Sequence, residues 1–328
     1  WHYPLINLPT AWDLEEGSPD VIVAVVDSGV LLDHPDLQGQ FVDGYDFISD
    51  PSSANDGDGI DDDPSDPGNG GLFAPSDFHG THVSGTVAAR TNNNFGVAGV
   101  APGVRIMPLR AIGSSGTIYD VLQAVRFAAG LPNDSNTVPP QRADVINLSL
   151  GCEPSPCPCI SQEQAVYDQV RDAGVMVVAA AGNESSPLPT SPAWCDGVIS
   201  VSAVDLERKL TRYSNTGPTI DIAAPGGDIG ADLDGVNGVD GVWSTLGSDV
   251  SGQLAFVYSA YNGTSMAAPH VAGVLALMKS ANPDLTPAVI DQQLAAGSLT
   301  DDLGPPGRDD DYGHGLVNAR KAVTTALN

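Results

Sequence analysis

Val21-Ile-Val-Ala-Val-Val26, closed by Asp27-Ser-Gly29, is a β-branched apolar run stopped by a turn. Such a run reads as a strand buried on both faces, as in a parallel sheet. Similar runs follow at Val104–Leu109, Asp144–Leu150, Val175–Ala181, Gly197–Ala203 and Thr219–Ala223. Between them lie an amphipathic stretch from Thr117 to Ala129, carrying Val121, Leu122, Val125 and Phe127, and a second from Ser161 to Ala173 that stops at Gly174. Strand and helix therefore alternate, which predicts an α/β fold, a mostly parallel central sheet with helices on both faces. Val242-Trp-Ser-Thr and Leu254–Ser259 read as an antiparallel hairpin, and helices are expected over Pro287–Ala296 and Leu316–Leu327. With no linker or internal repeat, residues 1–328 are expected to form a single domain.

The 328 residues carry a formal net charge of −28, and 41% of them are hydrophobic. A sizeable core is therefore within reach, and the charge argues against nucleic acid or an anionic membrane as a partner. An acidic excess of this size reads as a solvated surface, an adaptation to salt or a set of cation sites. No apolar run approaches the roughly eighteen residues of a membrane span. The sequence opens at Trp1 without Met, which reads as a processed, mature chain. Cys152, Cys157, Cys159 and Cys195 are an even set, so two disulfides and an oxidising compartment are expected. Cys157-Pro-Cys159 has the wrong spacing for zinc, and no His lies near it in sequence.

Gly263-Thr-Ser-Met-Ala-Ala-Pro-His-Val-Ala-Gly273 reads as a tight turn delivering Ser265 to the start of an apolar helix that runs to about Ala281. Unpaired N–H groups and the helix dipole there favour a negatively charged oxygen. Pro269 falls where a missing N–H costs least. Alone, Ser265 would be a capping residue, but two upstream features change that reading. Asp27 ends a strand, where α/β sheets gather their ligands. His79, in Phe78-His-Gly-Thr-His-Val-Ser-Gly-Thr, enters a small-residue helix at its N-terminal edge. His82, one turn on, reads as structural, because the segment lacks the Glu of a zinc-binding pattern. Asn183, in Ala181-Gly-Asn183-Glu184, sits at another strand end, where its amide can donate into a cleft. The loop Asp56–Gly68 sets six carboxylates among glycines and prolines, and a hard cation would balance them, although no Glu closes the loop as in an EF-hand. Gly226–Gly241 is expected as surface loop, with another weak cation site at Asp228, Asp232 or Asp234.

Asp27-Ser-Gly, His79-Gly-Thr-His-Val-Ser-Gly-Thr and Gly263-Thr-Ser265-Met-Ala-Ala-Pro-His, in that order, resemble the motifs of the subtilisin-like serine proteases. The likeness runs from Val21 to Tyr312-Gly-His-Gly-Leu-Val-Asn-Ala319. It implies a subtilisin-like three-layer architecture and a secreted serine endopeptidase acting on protein or peptide substrates. In that reading Ser265 is the nucleophile, His79 the general base, Asp27 the group that orients the imidazole, and the Asn183 side chain and Ser265 N–H the oxyanion donors. The resemblance also sets substrate between Ser115-Gly116 and Ser149-Leu150-Gly151, as an added strand. Ala180-Ala181-Gly182 would wall the primary pocket, with Thr190 near its base and Glu184 at its rim. A pro-peptide partner before maturation and a monomeric state come with the same likeness.

Calcium is implied too, at two or more structural sites. Asp36, in His34-Pro-Asp36-Leu37, would be completed by Asn93 and backbone carbonyls of the Arg90–Val97 loop, Arg90 and Val97 included. A second site would use Asp56, Asp58, Asp61, Asp63 and Asp66, in a loop that resembles one in secreted Gram-negative members. The cysteines depart from the smallest subtilisins. Pairing of Cys152 with Cys157 and Cys159 with Cys195 is expected, since the first two are joined by a short Pro-rich loop, and Cys152 with Cys195 is the open alternative. Two further readings accompany these, a relative that binds peptides or transfers acyl groups without hydrolysis, and a calcium-dependent structural module.

Overall fold

Strand residues divide by parity between two cores, one on each face of a central sheet. The computed structural model describes residues 1–70, 75–236 and 238–328. After two short helices, α1 (His2–Leu5) and α2 (Leu8–Trp12), come β1 (Ile22–Asp27), β2 (Tyr45–Asp46), α3 (Pro51–Ala54), α4 (His79–Ala88), β3 (Arg105–Arg110), α5 (Ile118–Ala128) and β4 (Val145–Leu148). Then follow α6 (Ser161–Asp172), β5 (Met176–Ala180), β6 (Ile199–Val204), β7 (Ile222–Pro225), β8 (Val242–Ser248) and β9 (Ala255–Tyr261). The chain closes with α7 (Thr264–Ala281), α8 (Pro287–Ala295), β10 (Thr300–Asp301), β11 (Leu316–Val317) and α9 (Ala319–Ala326). The sheet runs β10-β11-β7-β6-β5-β4-β1-β3-β2 and is parallel except where β10 meets β11 at one edge. β8 and β9 form a separate antiparallel hairpin.

Val23 and Val25 of β1, with Met176 and Val178 of β5, face a core shared with Val83 and Val87 of α4 and Val271, Leu275 and Leu277 of α7. Ile22, Ala24 and Val26, with Val177 and Ala179, face the other, filled by Val121 and Val125 of α5 and Val166 and Val170 of α6. This is the two-residue period of a strand whose two faces are both covered, hence the absence of polar interruptions in the sequence. Helix α7 is buried almost all round and packs against α4, α9 and strands β4 to β7. Among the described residues, no helix is long and apolar enough to cross a membrane.

Several boundaries differ from the sequence reading. The expected helix from Leu316 begins only at Ala319, because Leu316 pairs with Ala223 of β7 and the Asn318 side chain caps the helix by accepting from Lys321 N at 3.0 Å. The strand expected from Thr219 starts at Ile222, since a turn in which Ile220 N bonds Gly217 O holds the preceding residues. The 226–241 segment is loop, residue 237 lying outside the described residues. Helices α1 to α3 and strands β2, β10 and β11 are too short to show a period and were not expected.

Leu277 has no exposed surface in the α7 core. Leu277→Ala is expected to destabilise the protein by about 2–5 kcal/mol, since surrounding side chains relax only partly into the space. A urea titration checks it, the midpoint falling with the slope unchanged.

Candidate active site

Three neighbouring strands, β5, β4 and β1, end side by side, with Val25 of β1 opposite Asn147 of β4 and Leu148 of β4 opposite Ala179 of β5. Asp27 is the last residue of β1, and its Oδ1 accepts from His79 Nδ1 at 2.7 Å and from Ser28 N at 2.8 Å. His79 is the first residue of α4, which starts after Phe78 turns the chain at φ 44°. The helix can approach this closely because Gly80 has no side chain; a Cβ there would lie 2.1 Å from Gly29 O and 3.0 Å from Asp27 Cβ. Ser28 Oγ fixes the approach by accepting from Gly80 N at 3.1 Å while donating to Asp66 at 2.8 Å. Burial pulls the His79 imidazole down, but the charge and hydrogen bond of Asp27, reinforced by Asp77 and Asp66, outweigh it, so its pKa is raised above 6.5.

Ser265 is the second residue of α7. Pro269 lacks the N–H that would have bonded the Ser265 carbonyl four residues back. Ser149 Oγ, just past β4, takes over that carbonyl at 2.7 Å, and Ser265 Oγ in turn donates to Ser149 O at 3.1 Å. The nucleophile candidate is thereby tied to the strand end next to Asp27, with its hydroxyl turned to Ser149 O and not hydrogen-bonded to His79. Such bonds often tighten only with substrate in place. Asn183, just past β5, accepts at Oδ1 from Thr264 N at 2.8 Å and Thr264 Oγ1 at 3.0 Å. Its amide nitrogen is thus the end left free. The supporting roles of Ser149 Oγ and Thr264 went unread in the sequence, although Pro269 four residues after Ser265 was a signal that the Ser265 carbonyl needed another donor.

Gly116, Leu150 and Gly151 line one cavity of about 440 Å³, together with Ile112, Tyr167 and Ser191. The two expected edges of the substrate cleft therefore flank a common space. Ser115 is held from behind by Ser53 Oγ, which donates to its carbonyl at 2.6 Å and accepts from its N–H at 3.1 Å. Ala180, Ala181 and Gly182 are buried. Thr190 is buried too, its N–H bonded to Ala181 O at 3.0 Å, and it presses on Gly151, where a Cβ would lie 2.4 Å from Thr190 Cγ2. Glu184 is exposed, accepting from Ser155 Oγ at 2.9 Å. Disulfides join Cys152 to Cys157 and Cys159 to Cys195, so the alternative pairing does not form. His82 is structural: its ring stacks on Tyr261 at 4.7 Å, Nε2 lies 3.0 Å from Val242 O, and burial, then the His79 charge, lowers its pKa to about 3.

The expected cation ligands are gathered only in part. Asp36 is fully buried, with Asn93 Nδ2 donating to its Oδ1 at 2.5 Å and Val97 N to its Oδ2 at 2.9 Å. Arg90 lies beside it, its N–H bonded to Asp36 O at 2.9 Å. Asp58 touches both Asp56 and Asp61, and the charge of Asp61, then burial, then the charge of Asp56 push its carboxyl up. Asp63 turns back onto Ser65 N at 3.0 Å. Asp66 faces inward instead, bonded to Ser28 and to Gly68 N, and burial pushes its pKa up to about 6. Asp56 is shared with Arg110, whose buried guanidinium also reaches Asp46 and Ala54 O. In the 226–241 loop, Asp232 and Asp234 converge with Asp240, their oxygens within 4.8 Å, whereas Asp228 turns onto Gly230 N at 2.8 Å.

Fold and site together define the class, an α/β protein that gathers an Asp, a His and a Ser, in that chain order, at the carboxyl ends of adjacent parallel strands. The subtilase family description matches residues 18–315, and the chain belongs to that family. It is 40% identical to an extracellular protease of Xanthomonas campestris pv. campestris over 98% of its length and 54% of the relative's. It is 33% identical to thermitase of Thermoactinomyces vulgaris, over 97% and 93% of the two chains. A solved protease structure from Pseudoalteromonas arctica PAMC 21717 superposes with a TM-score of 0.88 at 41% identity, covering 98% of this chain and 94% of that one. The chain spans about half the length of the Xanthomonas relative and of the extracellular basic protease of Dichelobacter nodosus, at 54% and 55%.

The His79 pKa is expected above 6.5, and Asp77→Asn should lower it by removing one of the charges that raise it. Because the folded-state value is the higher, this proton stabilises the fold below pH 6.5 and the contribution fades as pH rises through the folded value. Titration of the imidazole by NMR in both proteins checks the value and the direction.

Proposed function

We propose that this chain is a serine endopeptidase. The observation that carries the reading is the Asp27–His79 bond of 2.7 Å at the end of β1, with Ser265 tied to the end of the neighbouring strand. In the reaction, His79 Nε2 removes the Ser265 hydroxyl proton as the oxygen attacks the substrate carbonyl. Asp27 keeps Nδ1 protonated and stabilises the imidazolium without taking its proton. The oxyanion that forms is met by the Asn183 amide and the Ser265 N–H. Its collapse breaks the peptide C–N bond, and His79 passes the proton to the leaving amine. Water, deprotonated by the same imidazole, then cleaves the acyl-enzyme and restores Ser265. The cavity lined by Gly116 and Leu150 and the Thr190–Gly151 contact support the expected cleft; exposed Glu184 is assigned to its rim in this reading. The similarity to the extracellular proteases of Xanthomonas and Dichelobacter and the two disulfides support secretion.

A fluorophosphonate is expected to label Ser265 and to leave Ser265→Ala unlabelled. Product peptides should carry new free carboxyl ends; products joined by new peptide bonds would favour acyl transfer instead. Asn183→Leu should lower kcat by about 10²–10³-fold with little change in KM, a magnitude set by the subtilisin precedent and not by this structure.

Calcium suits the donor set. Asp56 and Asp61 both bring like charge against Asp58, which a divalent cation would relieve; the second expected position centres on buried Asp36, whose two oxygens here accept from Asn93 Nδ2 and Val97 N and would take an ion by exchanging those bonds. Asp66 is left out of this reading, because it is turned inward, its Oδ2 accepting from the Ser28 hydroxyl that supports Gly80 and its Oδ1 from Gly68 N. Removing an ion held at a hundredfold its Kd costs about 2.7 kcal/mol per site. For a chain of this length that is about 4 °C, at about 2.1 cal/mol/K per residue. Excess chelator should therefore lower the Tm of Ser265→Ala, a variant chosen to prevent self-digestion; an unchanged Tm would count against calcium.

A further inference from the structure

We propose that Asn215 is the positioning residue for the oxyanion donor, an inference that rests on Asn183 filling that role. Asn215 lies between β6 and β7 with no exposed surface. Its side chain spans the turn that carries Asn183. Oδ1 accepts from Glu184 N at 3.0 Å and Ser186 N at 2.9 Å. Nδ2 donates to Ala181 O at 3.1 Å and to the Glu184 carboxylate at 2.7 Å. The Asn215 backbone N–H donates to Gly182 O at 3.0 Å. The residues on both sides of Asn183 are thus pinned by one buried amide.

The need for that support follows from the turn itself. Gly182 makes the turn at φ 109°, which glycine reaches freely, but Ser185 stands at φ 55°, a conformation that a residue with a side chain holds poorly without support. Thr264 fixes which way the Asn183 amide faces, but the height of its backbone above the strand end is set by the turn. A donor shifted by a fraction of an ångström loses much of its value, because the oxyanion position, and not the ground-state carbonyl, is what it must meet. The fit of the amide is specific. Only Asn or Gln offers two N–H groups and a two-lone-pair acceptor on one planar head, and Gln is a methylene too long for a site where Nδ2 would come 2.2 Å from a Cβ on Gly182. Asp would keep the two bonds at Oδ1 but set a carboxylate against that of Glu184 and against the Ala181 carbonyl.

Asn215 does not reach the substrate, so its loss should act through Asn183 and appear in the transition state alone. Asn215→Ala is expected to lower kcat at least tenfold, and by no more than Asn183→Ala, with KM held within about twofold. In the double variant the losses should fail to add, kcat lying within about threefold of Asn183→Ala alone. A conservative test reverses the polarity of the Glu184 bond: Asn215→Asp should lower kcat, and adding Glu184→Gln, whose amide can donate to the new carboxylate, should restore part of it, the bond to Ala181 O staying lost, whereas Glu184→Gln alone should not raise kcat. Active-site titration with a fluorophosphonate normalises each value to folded enzyme. If Asn215→Ala does not fold, the polarity reversal decides by the same comparison. Unchanged kcat in Asn215→Ala, a rise in KM alone, or losses that add in full on the Asn183→Ala background would each overturn the inference while leaving the oxyanion reading intact. Unchanged kcat in Asn183→Ala would overturn both.

Discussion

The contact on which the site depends is the close approach of α4 to the end of β1. Asp27 Oδ1 and His79 Nδ1 can meet at 2.7 Å only because Gly80 lets the helix backbone settle against Gly29. Ser28 holds that contact from one side and Asp66 holds Ser28. The small residues of Gly80-Thr-His-Val-Ser-Gly85 are therefore a geometric requirement. Gly85 repeats it further along, where a Cβ would lie 2.2 Å from Thr245 Oγ1 and 2.4 Å from Ser244 Oγ of the hairpin. The helix that carries the His79 imidazole is wedged between sheet and hairpin, and bulk on either side would separate Asp27 from His79.

The second half of the site is built by a missing donor. A proline inside a helix usually costs about 3 kcal/mol. Here the carbonyl that Pro269 leaves free is taken by Ser149, and the exchange of bonds between Ser149 and Ser265 ties the helix that carries Ser265 to the end of β4. Asn147 donates to Ser149 Oγ at 2.9 Å from within β4, so the tie is itself oriented. The strand order β5-β4-β1 then puts the Asn183 turn, the Ser149 tie and Asp27 in sequence along one rim, at the spacing of neighbouring strands, about 4.8 Å.

The legible part of this molecule is the part with a period or a motif. Six parallel strands and the helices α5 and α6 could be read because a buried strand is mostly apolar, with few polar residues such as Asn147 in β4 and Ser200 and Ser202 in β6, and an amphipathic helix repeats; Asp27, His79 and Ser265 could be read because each sits at an element end. What stayed hidden has neither property. Ser53, Ser149, Thr264 and Asn215 are single polar residues whose roles depend on partners 62, 116, 81 and 31 positions away. A serine among serines carries no local signal of which carbonyl it will meet. Asp66 misled for the same reason: in sequence it closes an acidic loop, and in space it is turned inward to a hydroxyl thirty-eight positions upstream.

Charge balance has the same dependence on distance. A net charge of −28 suggests an acidic surface with few cations, yet one of the thirteen basic residues, Arg110, is buried at the end of β3, in register with Asp27. A guanidinium removed from water needs partners for its fixed fork of donors. Asp46, Asp56 and the Ala54 carbonyl supply them. Because Asp56 also borders Asp58, the internal cation and any ion bound by the outer carboxylates would draw on one shared ligand. Ala54 ends the same short helix that presents Ser53 to Ser115. The acidic loop is therefore coupled to the edge of the cleft by an ion pair that needs no metal, and bound calcium would act on a scaffold already anchored from inside.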